Sequence, residues 1–313
     1  LSQALEDALT NSQLLNSAMT QAANILSKGS SVSLSAMVGG KIFSLIKYFN
    51  ISYSGELEVA LLTWLPSFVS LGLTPDMPDS LRDKIPERPV PYMFEKYETS
   101  SSFLVNFWEN LGVILFASCL WLLFKGLGFI FSPEQNPQIA SFIKKAKIMI
   151  QNFLLAALYG TYGDLILFAI IEYRSFMFGW NLSLLSFIFT VVLLIIMFLT
   201  FFYQIKILKA YQKIKQQQPK SNLDRFMESH EGCQLFFKDS KDDSLAPQLF
   251  IFFLSARDVI FSLILVTLFD HPLVQTIIII LLDLLMIVYL FVKNPFEAKF
   301  DFILQLFFEF VGL

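Results

Sequence analysis

The sequence predicts an all-α, polytopic integral membrane protein, and three observations predict it. Hydrophobic residues make up 55% of the 313 residues, with 35 phenylalanines and only 16% charged residues, and the mean hydropathy is +0.59; both lie far from the soluble globular average. Apolar runs of about 20 residues, the length a helix needs to cross the hydrocarbon core, recur along the chain. Two of them, 247–269 and 272–292, are separated only by Asp270 and His271, so they read as antiparallel spans joined by a tight turn. About six strong spans are expected, with one or two marginal segments ahead of them.

In chain order, residues 1–73 read as N-terminal helices. The stretch 1–30 is too polar to span. The stretch 31–49 has the length but contains Lys41, Lys47 and the Gly39-Gly40 pair, which suits a weak span or an interfacial helix. Residues 57–73 carry Glu58 and are interrupted by Pro66, where a backbone donor is lost, so a marginal or re-entrant element is expected. Residues 74–101 hold five prolines, six acids and four bases, and such a stretch stays in water as a loop. The bundle then occupies 102–313. Its spans are expected at about 103–131, 148–172, 182–204, 247–269, 272–292 and 299–313, the last cut short. Residues 138–150 place apolar side chains at helical spacing around Lys144, Lys145 and Lys147, an interfacial helix running on into the span. The span from 182 continues without a breaker into a basic stalk. The chain starts at Leu1 and stops within an apolar run, so it is expected to be part of a longer protein.

Alternating the confident spans puts fourteen Lys or Arg residues on one side and five on the other. The richer side is cytoplasmic by the positive-inside rule, which makes the Pro-rich loop external. If the two marginal segments both cross or both fail to, the N-terminus is external too. The sequons at Asn50 and Asn181 do not mark clear glycan positions, since Asn181 hugs the membrane and Asn50 is cytoplasmic if both marginal segments cross.

Several functions find no support. No basic domain or reader motif for nucleic acid occurs, and HExxH, GxSxG, Walker A, GxGxxG and CxxC patterns are missing, so no catalytic activity, metal site or cofactor is expected. The two cysteines, Cys119 and Cys233, are too few for a disulfide framework. His230 and His271 fall on opposite sides of the membrane and cannot share a site.

Charge inside the spans is the informative signal, because it is costly in hydrocarbon unless paired or facing a polar cavity. Counting about 1.5 Å per residue, Arg257 lies roughly 15 Å along its span and Asp283 roughly 16 Å down the next. Both sit near the midplane, and an Arg257–Asp283 pair is geometrically reasonable. Two readings stand: an interhelical clamp, or gating and coupling charges formed by Arg257, Asp258 and Asp283. Glu109 and Asp164 fall in the outer half of their spans, where they serve either as cation-facing groups or as part of a buried polar network. Asp164 follows Tyr159-Gly160-Thr161-Tyr162-Gly163, whose small residues allow close helix approach. Lys144, Lys145 and Lys147, with Lys206, Lys209, Lys213 and Lys215 on the stalk, are candidate contacts for anionic lipid, the stalk also for calmodulin, or simply the orientation signal.

The hairpin and the run after it carry Arg257 in mid-helix, Pro272 and Gln275 opening the next helix, Tyr289 near its end, then Pro295 and Glu309. With these residues the chain resembles the transmembrane domain of TRP-like proteins, the polycystin-related and flavin-carrier-type group, and is most similar to the C-terminal membrane domains of ciliate cysteine-rich surface proteins. The likeness is best over about 247–310 and looser over 17–130. It departs from the family pattern at Ala256 and Asp258, where a second basic residue often flanks the arginine, and at Phe308, where a polar residue often precedes the glutamate. The resemblance implies a multi-span, cation-channel-like domain below an ectodomain that this chain does not contain, in a plasma or ciliary membrane. The leading expectation is a TRP-like or polycystin-like cation channel component whose partners are the lipid bilayer, calcium or other cations, and further copies in a homo-oligomer or larger assembly. The alternatives are a membrane anchor or structural subunit of a large surface or ciliary assembly, and an ion-coupled transporter.

Overall fold

The computed structural model describes residues 45–51, 53–55, 76–131, 136–175, 182–217, 220–237, 241 and 244–312. The marginal segments expected over 31–49 and 57–73 fall largely or wholly outside these residues, as does Asn181. The described residues are helical and contain no strand. Backbone groups in hydrocarbon must be satisfied within their own segment, and the helix does this.

Three short helices, α1 (Asp79–Arg82), α2 (Tyr92–Lys96) and α3 (Phe103–Asn106), lead into α4 (Trp108–Ile130). The α3–α4 path breaks at Phe107, with φ −101 and ψ 7. There the Asn106 side chain turns back to both backbone groups of Ser100 and ties the span to the loop. Next come α5 (Pro137–Ser175) and α6 (Leu182–Gln217). At 39 and 36 residues these helices are about 58 and 54 Å long, far more than the roughly 30 Å hydrocarbon core, so both project from the membrane. A short α7 (Lys220–Ser229), a 3-10 turn (Glu231–Phe236) and α8 (Leu245–Gln248) then precede the hairpin of α9 (Phe250–Thr267) and α10 (Pro272–Lys293). Pro272 occupies the first turn of α10, where its missing N–H costs nothing. Asn294 ends the helix in a left-handed conformation, φ 39, which asparagine tolerates better than most residues. The last helix is α11 (Lys299–Gly312).

Five of these helices, α4, α5, α6, α9 and α10, are long and apolar enough to cross a membrane. α11 has 14 residues. The centre belongs to α5, whose apolar stretch is 72% buried against 17% for α4. It packs chiefly on α4, α9 and the 3-10 turn. The bundle thus has two ends. The loop end holds residues 76–102 and the α9–α10 turn, and Arg174 closes it by donating to the Val266 carbonyl at 2.9 Å. The stalk end holds α7, the 3-10 turn and the projecting part of α6. There Gln212 donates to Gln248 at 2.9 Å and Tyr289 to the Ala246 carbonyl at 2.6 Å.

Exposed apolar side chains crowd the outside of the spans: Phe129 and Ile130 on α4, Phe198 and Phe202 on α6, Leu285 and Phe291 on α10, Phe307 on α11. On a water-soluble molecule these would be a liability. In a bilayer they are the solvent-facing surface.

Candidate functional site

Helix α9 carries its polar residues on one side. Ser255, Asp258 and Ser262 are spaced i, i+3 and i+7, which stacks them along one stripe, and all three are buried together with Arg257. Arg257 is 4% exposed and touches three carboxylates. Its Nη2 lies 3.6 Å from Asp258 Oδ1 on its own helix. Its Nη1 lies 3.7 Å from Asp283 Oδ1 of α10 and donates to Glu309 Oε2 of α11. Gln305, one turn before Glu309, donates from Nε2 to its other oxygen at 2.7 Å. The structure therefore brings Arg257, Asp258 and Asp283 together and adds Glu309, ten residues into α11.

Two properties describe this cluster. One guanidinium faces three carboxylates, a formal charge of −2 when all four are ionised, and none of the four is more than 4% exposed. Hydrogen bonding is also incomplete. Both Asp283 oxygens, Arg257 Nε and Nη2, and the hydroxyls of Ser255 and Ser262 have no hydrogen-bond partner. Buried polar groups are ordinarily satisfied, and here several are held by charge alone. Among the described residues no group of three or more His, Cys, Asp or Glu side chains is placed to hold a metal ion.

Beside the cluster, α5 comes close to α9 at Gly163. A Cβ there would stand 3.3 Å from Ser262 Oγ, 3.7 Å from Asp258 Cβ and 3.7 Å from Leu45. Only glycine admits this approach comfortably. The next residue, Asp164, is half-buried and interacts electrostatically with Lys47 and Tyr48. Glu109 lies apart from this group, exposed in the first turn of α4.

A second polar knot lies at the loop end. Glu172, 4% exposed, accepts from Thr190 at 2.9 Å and also bonds Ser186 and the Phe103 backbone. Ser186 in turn accepts from the Leu104 N–H at 2.9 Å and shares a hydrogen bond with Ser102 at 3.2 Å. One carboxylate thereby ties α5 and α6 to the first turn of α3. Near a span end, where acids are common, Glu172 carries no distinguishing mark in the sequence.

The basic residues lie mostly at the surface. Lys144 pairs with Glu231 at 3.1 Å, and Lys145, Lys206, Lys209 and Lys213 are exposed while Lys147 and Lys215 are half-buried. Cys119 is exposed on α4 and Cys233 is buried, near the Gln151 amide and the Tyr203 hydroxyl. Burial pushes the Cys233 thiol above its usual range, which leaves less thiolate, the reactive form, at neutral pH. Iodoacetamide labelling of Cys233 is therefore expected to lag behind that of a free thiol and to rise only at higher pH. Mass-spectrometric rates from pH 7 to 10 check this, and labelling as fast as glutathione at pH 7 would contradict it.

No known protein family, characterised protein or solved structure matches the chain.

Proposed function

We propose that this chain is a cation channel component of the TRP-like kind, with the Arg257 cluster as its gating or coupling element. One observation carries the reading: a single arginine on α9 holds carboxylates from its own helix, α10 and α11 at once. Such a network has alternative pairings, because α10 or α11 can shift while Arg257 keeps the other partners. Bistable packing of this kind is how helix movements are switched. The excess of acid over base favours cations over anions, as acidic clusters do in cation pathways. The loop end is external by the distribution of Lys and Arg, and the apolar outer faces of α10 and α11 supply the contact with lipid or with further copies.

Ionic current through the full-length protein in planar bilayers tests the reading, comparing wild type with Asp283→Asn and Asp164→Asn. A cation-selective current whose gating changes with Asp283→Asn is the expected result. Folded protein that passes no current, with both substitutions altering only thermal stability, would leave the spans as an anchor and the cluster as a clamp.

A further inference from the structure

Two sequons occur in the chain, Asn50-Ile51-Ser52 and Asn181-Leu182-Ser183, and from sequence alone the first falls on either side of the membrane, depending on which marginal segments cross. The structure fixes its side. Tyr48 and Phe49, just before Asn50, are 7% and 6% exposed and pack into the core near the loop end. Tyr48 stacks on Phe94 of α2 with ring centres 5.0 Å apart and accepts from Thr99 of the loop at 3.3 Å, while Phe49 meets Phe261 of α9 edge-on at 6.0 Å. Asn50 itself donates from Nδ2 to the Phe269 carbonyl at 3.4 Å. Phe269 adjoins Asp270 and His271, the turn between α9 and α10, so Asn50 lies at the end of the bundle that also holds residues 76–102.

Position is one requirement of an acceptor, and access is the other. Asn50 is exposed, and its neighbour Ile51 is 41% exposed. Tyr53 donates back to the Ile46 carbonyl at 2.5 Å, so the chain reverses between them and Asn50 stands in the turn. Buried aromatics thus hold the turn in place while the asparagine side chain remains outside. A primary amide carries two hydrogens on its nitrogen. The bond to Phe269 uses one, and a substituent replacing the other leaves that bond intact.

We propose that Asn50 is an acceptor for an N-linked glycan on the external face of the bundle. This rests on the reading of the loop end as external and is independent of whether the protein conducts ions. The asparagine and the hydroxyl residue two positions on are what the N-x-S pattern supplies. The co-substrate is an oligosaccharide carried on a lipid pyrophosphate. Nδ2 of Asn50 bonds to the anomeric carbon of the first sugar as the bond from that carbon to the pyrophosphate oxygen breaks. The lipid pyrophosphate leaves, and Nδ2 gives up one proton. The product places a bulky, solvated group beside Asp270 and His271, both exposed, which keeps the turn of the α9–α10 hairpin in water.

The test is translation of the full chain into endoplasmic-reticulum microsomes, with carbonate extraction to retain membrane-integrated protein and electrophoresis before and after peptide N-glycosidase F. Wild type is expected to carry a single glycan that the glycosidase removes. The shift is expected to vanish in Asn50→Gln and in Ser52→Ala and to persist in Ser52→Thr and in Asn181→Gln. Two further variants, each in the Asn50→Gln, Asn181→Gln background, report the side of each end. Glu98→Asn completes a sequon with Thr99 and Ser100 at an exposed loop-end position whose φ of 54 asparagine tolerates. Asp224→Ser completes one with Asn222 and Leu223 on α7 at the stalk end. The first is expected to be glycosylated and the second not. An unmodified wild type, or a glycan that survives Asn50→Gln, would overturn the proposal. Where wild type is unmodified but Glu98→Asn is modified, the loop end is external and the Asn50 site alone fails. Modification of Asp224→Ser alone would sink the orientation together with the site.

Discussion

Replacing Arg257 with methionine is expected to be the most damaging single substitution in the molecule. Methionine fills a similar volume, so packing is not the reason. The reason is the three carboxylates left behind, at most 2% exposed, with no cation among them. Removing one partner of a buried ion pair costs roughly 3–5 kcal/mol, and here one side chain serves Asp258, Asp283 and Glu309 together. Thermal unfolding in detergent, followed by circular dichroism and size exclusion, measures the loss. The informative comparison is Arg257→Met combined with Asp258→Asn, Asp283→Asn and Glu309→Gln. That variant has no charge to strand, and uncharged replacements of buried ion networks are often close to neutral in stability, so it is expected to recover most of the loss. If Arg257→Met alone is as stable as wild type, the carboxylates do not depend on the guanidinium, and the charge argument for this site fails. If wild type passes current and the fourfold variant folds as stably but passes none, stability and function separate at this cluster, which a pure clamp would not allow.

The class of fold was legible because hydropathy and span length are properties of composition and run length, which need no tertiary information. The meeting of Arg257 and Asp283 was legible for a related reason: a two-residue turn forces the two helices to be antiparallel neighbours, so depth along each follows from counting residues. Glu309 was not reachable that way. It lies in α11, which enters after Asn294 and Pro295, and nothing in the sequence says against which helix α11 packs. The closeness of α5 and α9 was half legible. Gly163 advertised a small-residue contact, but only the fold shows that its partners are Ser262 and Asp258. Asp164 drew attention as an acid within a span, whereas its link to Lys47 crosses more than a hundred residues of sequence. Glu109 shows the limit of residue type alone: it sits in an exposed first turn, where an acid complements the helix dipole.

Glu172 offers the second large effect, and here the contrast between two substitutions carries the argument. Its carboxylate bonds the Phe103 backbone at the start of α3, together with Thr190 and Ser186. In Glu172→Ala the two hydroxyls retain other partners: Thr190 still donates to the Ser186 carbonyl at 2.9 Å, and Ser186 still contacts Ser102 and Leu104. The Phe103 N–H has no such fallback. It belongs to the first turn of a helix, where no carbonyl four residues earlier is in helical register, and Phe103 is fully buried. An orphaned buried donor costs roughly 1–3 kcal/mol, and the cavity left by the side chain adds to it. Glu172→Gln keeps an acceptor oxygen in place, so it is expected to lose less than half as much. Unfolding midpoints of the two variants check the ratio, and hydrogen exchange at the amides of 103–106 locates the damage. Equal losses would mean that the charge, rather than the hydrogen bond to Phe103, holds the loop end of the bundle together.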